Sequence, residues 1–278
     1  MILYNKTATQ ISTLITKRYS TSFFLATCMF QNEIKNAITS IYGFVRLADE
    51  IVDTFHEYDK KYLLDKFEKD YFESFEQGIS LNPVLHSFAI TVRKYNIPNE
   101  YIQAFLNSMR ADLYVREYKD EKELDDYIYG SADVVGLMCL KVFCYGDEKY
   151  FCELQNSAMK LGSAFQKVNF LRDLKSDIEI LDRSYFPEIG KKEFNEGLKK
   201  ELIIDIQNDF DIAFEGIKRL PKEAKVAVVV AYFYYKNLLK KIAHTPAVKI
   251  MDNRIRISDG KKIILLVKAI LVTKLNLI

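Results

Sequence analysis

The sequence predicts an all-α fold, and three observations carry that prediction. Lys, Leu and Ile dominate the 278 residues, and only ten Gly and five Pro interrupt them; that balance favours helices. No period-two stretch is long enough to form a sheet strand. Loops are short, without repeats, low-complexity tracts or linker-like composition. A hydrophobic content of 49% suffices for a large core, so residues 1–278 are read as a single domain of about ten or more helices.

Taken in order, residues 3–17 are weakly helical and lead to Tyr19-Ser20-Thr21-Ser22-Phe23-Phe24, whose hydroxyls suit a cap or a turn. A helix over 32–55 follows, then an amphipathic outer helix over 60–77 and a turn at Gly78 to Pro83. Residues 83–95 form the next helix, broken at Asn96-Ile97-Pro98, and a further one runs from 98 to 113. Glu117 to Asp126 is a charged surface connection. Tyr127 to Cys144 is apolar, with Gly130 and Gly136 inside a helical pattern. Each costs about 1 kcal/mol relative to Ala, so tight packing, or a kink lining a cavity, must justify it. Residues 150–181 form a long helix, stopped by Pro187, and two more helices span 190–219 and 222–244. The aromatic run Tyr232 to Tyr235 fits a core, and an aromatic wall would also suit a cation. Residues 262–278 are apolar almost all round, interrupted by Lys268 and Lys274. That tail is too interrupted for the roughly 20 apolar residues a bilayer span needs. It packs on the bundle or rests on a membrane surface.

Two helices carry the chemistry. At about 100° per residue, Gln166, Asn169, Asp173 and Asp177 share a face roughly 80° wide, with apolar flanks. In the helix over 32–55, Tyr42, Arg46, Asp49 and Asp53 share a face about 40–60° wide. One acidic stripe is commonly just a solvated face. Two such stripes on apolar helices can face each other across a cavity. Inward carboxylates are costly unless paired, and hard oxygens at this spacing suit Mg²⁺, which in turn binds a diphosphate.

The two segments, RLADEIVD and NFLRDLKSD followed by DRSYFP, resemble the aspartate-rich motifs of squalene and phytoene synthases. Tyr19 to Phe24 and Tyr127-Ile-Tyr-Gly-Ser-Ala-Asp-Val-Val-Gly136 match further motifs in the same order. The resemblance implies an isoprenoid synthase-like bundle around a central cavity. It also implies head-to-head joining of two prenyl diphosphates through a cyclopropylcarbinyl diphosphate. Position by position, it makes Asp49, Asp53, Asn169, Asp173 and Asp177 ligands of Mg²⁺, with Mn²⁺ able to substitute. Ser20, Ser22, Arg46, Arg172, Arg183 and Tyr185 become diphosphate-binding groups, while Tyr42, Tyr129 and Gln166 line the reaction centre. Glu50 stands where many relatives have Asp, and its place off the metal face predicts no loss of activity. Met109-Arg-Ala-Asp112-Leu and the pattern from Asn253 to Leu266 resemble the phytoene-synthase branch. They imply geranylgeranyl diphosphate as substrate and phytoene, in carotenoid biosynthesis, as product. Farnesyl diphosphate giving squalene or dehydrosqualene is the alternative, and a non-catalytic helical assembly factor is the remote one.

Several classes fall away. A net charge of +2 gives no nucleic-acid footprint. The chain holds no P-loop, no nucleophile elbow and no dinucleotide fingerprint, so no NADPH use is expected. Four cysteines without ligand or disulfide spacing read as reduced core thiols of a cytoplasmic protein. The N-terminus lacks a signal-peptide pattern. Beyond the prenyl diphosphates, the expected partner is the inner membrane surface, as a peripheral contact for product release.

Overall fold

A computed structural model describes residues 1–191, 194–252 and 254–278. Among them lie fourteen α-helices and one π-helical segment, and no named strand. The expected all-α class is therefore the observed one. In order the helices are α1 (Ile2–Tyr19), α2 (Thr21–Thr27), α3 (Asn32–Asp53), α4 (Lys60–Gln77), α5 (Pro83–Lys94), α6 (Asn99–Ala111) and α7 (Glu121–Ile128). The π segment Tyr129–Asp133 joins α7 to α8 (Val134–Cys144), and α9 (Glu148–Glu179) follows. The chain ends with α10 (Pro187–Lys191), α11 (Glu196–Arg219), α12 (Lys222–His244), α13 (Ala247–Asp252) and α14 (Asp259–Lys274).

Local chemistry sets most of the starts. Asp59, Asn82, Asp120, Asp147 and Asn195 each accept a backbone N–H in the first turn of α4, α5, α7, α9 and α11. Asp120 turns half of the expected 117–126 surface connection into α7, because its side chain accepts from the Glu123 N–H at 2.9 Å. Ser20 likewise caps α2, a short helix absent from the sequence expectation. The expected 190–219 helix begins late: α10 and α11 flank residues 192–193, which lie outside the described residues, as does Asn253.

α3 and α9 form the heart of the bundle. α3 lies against α1, α5 and α8, and α9 against α8, the π segment and α11. Phe44 of α3 stacks on Phe88 at 4.0 Å between ring centres and also meets Phe67, Tyr71 and Phe105, so one side of α3 is fixed by aromatic packing. The two glycines flagged in sequence are explained by close helix approach. A Cβ on Gly130 would lie 2.7 Å from the Ala104 carbonyl oxygen of α6, and one on Gly136 would lie 2.7 Å from that of Ala158 in α9. The π segment and α8 are thus wedged between α6 and α9 with no room for a methyl group. Gly136→Ala should destabilise the protein by about 1–3 kcal/mol through overpacking. A urea or thermal unfolding curve checks this, and an unchanged midpoint would mean the helices can part freely.

Candidate active site

The exposed edge of α3 and the facing edge of α9 bound a cavity of about 400 Å³. Ten of the residues singled out in sequence line it: Tyr42, Arg46, Asp49 and Asp53 from α3; Gln166, Asn169, Arg172, Asp173 and Asp177 from α9; and Tyr185. The two polar stripes do face each other. Asp53 of α3 is close enough to Asp177 of α9 to raise its pKa.

The acids are held by arginines. Arg46 donates to Asp49 at 2.6 Å and to Glu50, and its guanidinium lies 4.5 Å from the centre of the Tyr19 ring. Glu50, off the stripe, is thus a partner of Arg46. Arg172 donates to its neighbour Asp173 at 3.0 Å, and Arg254, from the segment before α14, lies 2.7 Å from the same carboxylate. Asp177 makes no ion pair among the described residues. Burial pushes Asp49 up to about 7, with Asp53 adding to the rise and Arg46 opposing it. Burial likewise pushes Asp177 up to about 7, helped by Asp173 and Asp53. These carboxylates sit in an environment short of positive charge.

The amides are also positioned. Gln166 donates to the Ser131 hydroxyl at 3.5 Å, and Asn169 to the Gln166 carbonyl oxygen at 3.5 Å. The Tyr235 hydroxyl donates to the Asn169 oxygen at 3.3 Å, while its ring stacks on Phe165 at 3.9 Å. The aromatic run on α12 thus divides: Tyr232 packs in the core on Phe214, and Tyr235 supports the site. Tyr42 stacks on Phe23 at 4.8 Å, and burial pushes its hydroxyl up to about 12.

Four expected residues stand elsewhere: Tyr129, Arg183, Ser20 and Ser22. Tyr129 does not line the cavity; it is half-exposed at the start of the π segment. Positions 127 and 129 are about 200° apart on a helix, so only one can face the cavity. Tyr127 does, together with Ser131 one turn on. The Tyr127–Ser131 spacing was the overlooked sequence signal. Arg183 is also absent from the cavity wall. It is buried and turned onto protein acids: 2.8 Å from Asp53, 3.6 Å from Asp112, and donating to the Asp112 backbone oxygen at 2.9 Å. Asp182, with φ of 53°, and the Arg183 N–H to Asp177 carbonyl bond at 2.8 Å force that turn. Ser184 then donates its N–H to the Arg116 carbonyl at 2.7 Å, pinning the segment after α9 to the chain before α7.

Asp112 was under-read in sequence. It is buried, lines the cavity and accepts the Tyr127 hydroxyl at 3.0 Å on both oxygens. Burial raises it to about 8 against the pull of Arg183. Tyr185 and Phe170 stack at 4.0 Å beside Tyr127 and complete an aromatic wall.

Ser20 and Ser22 line an adjoining basin of about 670 Å³ rather than the acidic cavity. Its charged lining is mostly basic: Arg172, Lys241, Arg254, Arg256 and Lys262, with Asp259. Arg172 and Arg254 border both spaces.

Among the described residues no three His, Cys, Asp or Glu side chains converge on one point. A hard cation is ordinarily held by one or two carboxylates plus waters and phosphate oxygens, and the acids of the two stripes offer such pairs. The buried acids lifted to about 7 fit such a cation, since it would supply the charge they lack.

A squalene/phytoene synthase family model matches residues 16–261. The chain belongs to the squalene/phytoene synthase family. The chain is 28% identical over 242 residues to phytoene synthase 2, chloroplastic, of Oryza sativa subsp. japonica, covering 81% of this chain and 60% of that protein. It is 23% identical to 4,4'-diapophytoene synthase of Staphylococcus haemolyticus, over 82% of this chain and 85% of that one. The crystal structure of a dehydrosqualene synthase in complex with ligand superposes with a TM-score of 0.83 at 22% identity, covering 97% of this chain and 98% of that chain. That likeness establishes the fold.

Because Arg183 neutralises two acids from inside the protein, Arg183→Met should cost about 3–5 kcal/mol of stability. Adding Asp112→Asn to it should restore part of the loss. Urea titrations of the single and double variants measure both; strict additivity of the two changes would show that the pair is not coupled.

Proposed function

We propose that the protein joins two prenyl diphosphates head to head through a cyclopropylcarbinyl diphosphate, and that its preferred substrate is geranylgeranyl diphosphate, giving phytoene. One observation carries the reading: an acid-lined cavity and a base-lined basin share Arg172 and Arg254. Such a pair of compartments suits two diphosphates bound side by side, with reacting carbons between them.

On this reading Asp49, Asp53, Asn169, Asp173 and Asp177 hold Mg²⁺. A divalent cation held by these residues would supply positive charge toward a departing diphosphate. Arg46, Arg172 and Arg254, each now paired with an acid, are the cations placed to take up diphosphate oxygens, with Ser20 and Ser22 at the basin. Breaking the C1–O bond of one allylic diphosphate leaves a cation that the double bond of the second attacks. Loss of a proton closes the cyclopropane, and the second diphosphate then departs. Tyr42, Tyr127, Phe170 and Tyr185 offer aromatic faces to these cations and keep water away. The last cation loses a proton instead of accepting hydride, so no NADPH is used. Arg183 and Asp112 act through others: they orient Asp53 and the Tyr127 hydroxyl. The hydrocarbon product would leave into a lipid phase.

A C15 substrate is favoured by the diapophytoene and dehydrosqualene relatives, a C20 substrate by the plant phytoene synthase. Five extra carbons of buried chain contribute several kcal/mol in transfer terms, about 0.8 kcal/mol per CH₂, which argues for the longer chain if the cavity admits it. Incubating purified protein with farnesyl and geranylgeranyl diphosphates at equal concentration, with Mg²⁺, should give mainly C40 hydrocarbon. The product should vanish with chelator and be unchanged by NADPH. Mainly C30 product would overturn the chain length alone, and no hydrocarbon at all would overturn the reaction.

The metal reading has a pH signature. Asp49 and Asp177 titrate near 7 in the fold against a usual 3.8, so the folded state holds their protons more tightly. Their contribution to stability is fully present below about pH 4 and is lost as pH rises through about 7. Mg²⁺ binds the ionised forms. It should therefore raise Tm more at pH 8 than at pH 5.5, and equal increments at the two pH values would count against carboxylate ligation.

A further inference from the structure

The C-terminal region has a surface that the site does not use. α14 packs one face, carrying Leu265 and Ala269, onto the bundle beside α12. Ile263, Ile264, Val267 and Leu271 stand on the opposite face, each at least 50% exposed. On a helix those four span about 100°, and Leu275 continues the line at the C-cap. A contiguous apolar stripe of this kind on an otherwise polar surface marks an interaction face.

What covers it is indicated by charge. Residues 237–278 hold nine Lys and Arg against two Asp and no Glu, a net +7. The whole chain is +2, so the remaining 236 residues carry −5. Arg254 and Lys262 are paired with Asp173 and Asp259, and Lys268 lies 5.1 Å from the centre of the Phe233 ring, but most of these cations meet no carboxylate. Lys240, Arg256, Lys261, Lys268 and Lys274 form no ion pair among the described residues. Lys240, Lys241, His244, Arg256 and Lys261 gather around a cavity of about 380 Å³ at the foot of α14. On the helix itself Lys261 and Lys268 flank one edge of the apolar stripe and Lys274 lies at its far end. An apolar face bordered by unpaired lysines matches an interfacial helix. A second copy of this chain is a poor fit, because a two-fold contact would set the same lysines against one another.

We propose that the outer face of α14, with the basic cluster at its foot, docks the protein on an anionic lipid bilayer. Ile263, Ile264, Val267 and Leu271 enter the headgroup–acyl boundary, while Lys240, Arg256, Lys261 and Lys268 meet lipid phosphates. The docked face is continuous with the site: Arg256 and Ser258 line both the basic cluster and the basin, and the basin meets the acidic cavity at Arg172 and Arg254. The proposal stands on the surface alone and does not depend on which reaction the cavity performs.

Flotation of the full chain with vesicles tests it. Protein should float with phosphatidylcholine–phosphatidylglycerol vesicles, much less with phosphatidylcholine alone, and less again as salt rises. Ile264→Asp with Leu271→Asp should cut the floated fraction at least about tenfold. Lys261→Glu with Lys268→Glu should also cut it about tenfold, at roughly 1 kcal/mol for each lysine lost near the surface and more for reversal. Both variants change exposed side chains, so circular dichroism and Tm should match the parent. Equal flotation with neutral vesicles, or flotation untouched by the double aspartate variant, would overturn the proposal. A stable dimer in lipid-free solution that the aspartate variant dissociates would overturn it too, by assigning the face to a second copy.

Discussion

Placing four aspartates between two apolar helices is the constraint on which the rest of this structure depends. Each of these half-buried carboxylates forfeits part of its hydration, and positive charge returned to the site offsets that cost. Arg46 does so from within α3, one turn before Asp49. Arg172 and Arg254 do so for Asp173, and Arg183 does so for Asp53. Irregular segments exist in part to deliver these groups. The turn after α9 carries Arg183 inward through a left-handed Asp182, and the stretch before α14 lays Arg254 across the cavity mouth. Only Asp177 of the four is left without an ion pair among the described residues; it and Asp49 are raised to about 7, by burial first and by neighbouring carboxylates second.

The arginines also sort the interior into compartments. On one side of Arg172 and Arg254 the lining is carboxylate and amide; on the other it is lysine, arginine and hydroxyl. A diphosphate approaching the first side needs a metal between itself and the acids. One approaching the second can be met directly by nitrogen donors. The two guanidiniums at the boundary can serve either neighbour, since a planar fork satisfies a carboxylate and a phosphate with the same geometry. This asymmetry gives chemical sense to a reaction in which two identical molecules play different parts.

Much of this was legible in the sequence because helical geometry is regular. The stripes on α3 and α9 follow from spacing alone, and every carboxylate read from them lines the cavity. Spacing fails where a residue leaves the regular helix. Arg183 follows a positive-φ residue, so no wheel could say that it would turn toward Asp53 rather than toward a ligand. Tyr129 differs, since a helical wheel already opposes it to Tyr127, and it is Tyr127 that faces the cavity. Glu50 shows that a side chain off the stripe still counts when an arginine one turn earlier reaches for it. The helix boundaries missed in sequence, at α2, α7 and α13, are short elements of six to eight residues. Single caps or tertiary contacts decide such elements more than periodicity does.

Average composition concealed the other organising feature. A net charge of +2 suggests an electrically bland protein, yet it is the sum of a chain body at −5 and a C-terminal region at +7. That region contributes arginine to the cavity mouth, lysine and arginine to the basin, and unpaired lysines to the outer surface. Basicity therefore runs without a break from the acids of α9 to the exposed face of α14. A gradient of this kind draws polyanions inward while holding the basin against an anionic boundary. The same few side chains thus link the chemistry of the interior to the chemistry of the surface. Substitutions in the basin, at Arg256 above all, should for that reason be felt at both places, whereas changes on the outer stripe should be felt at one.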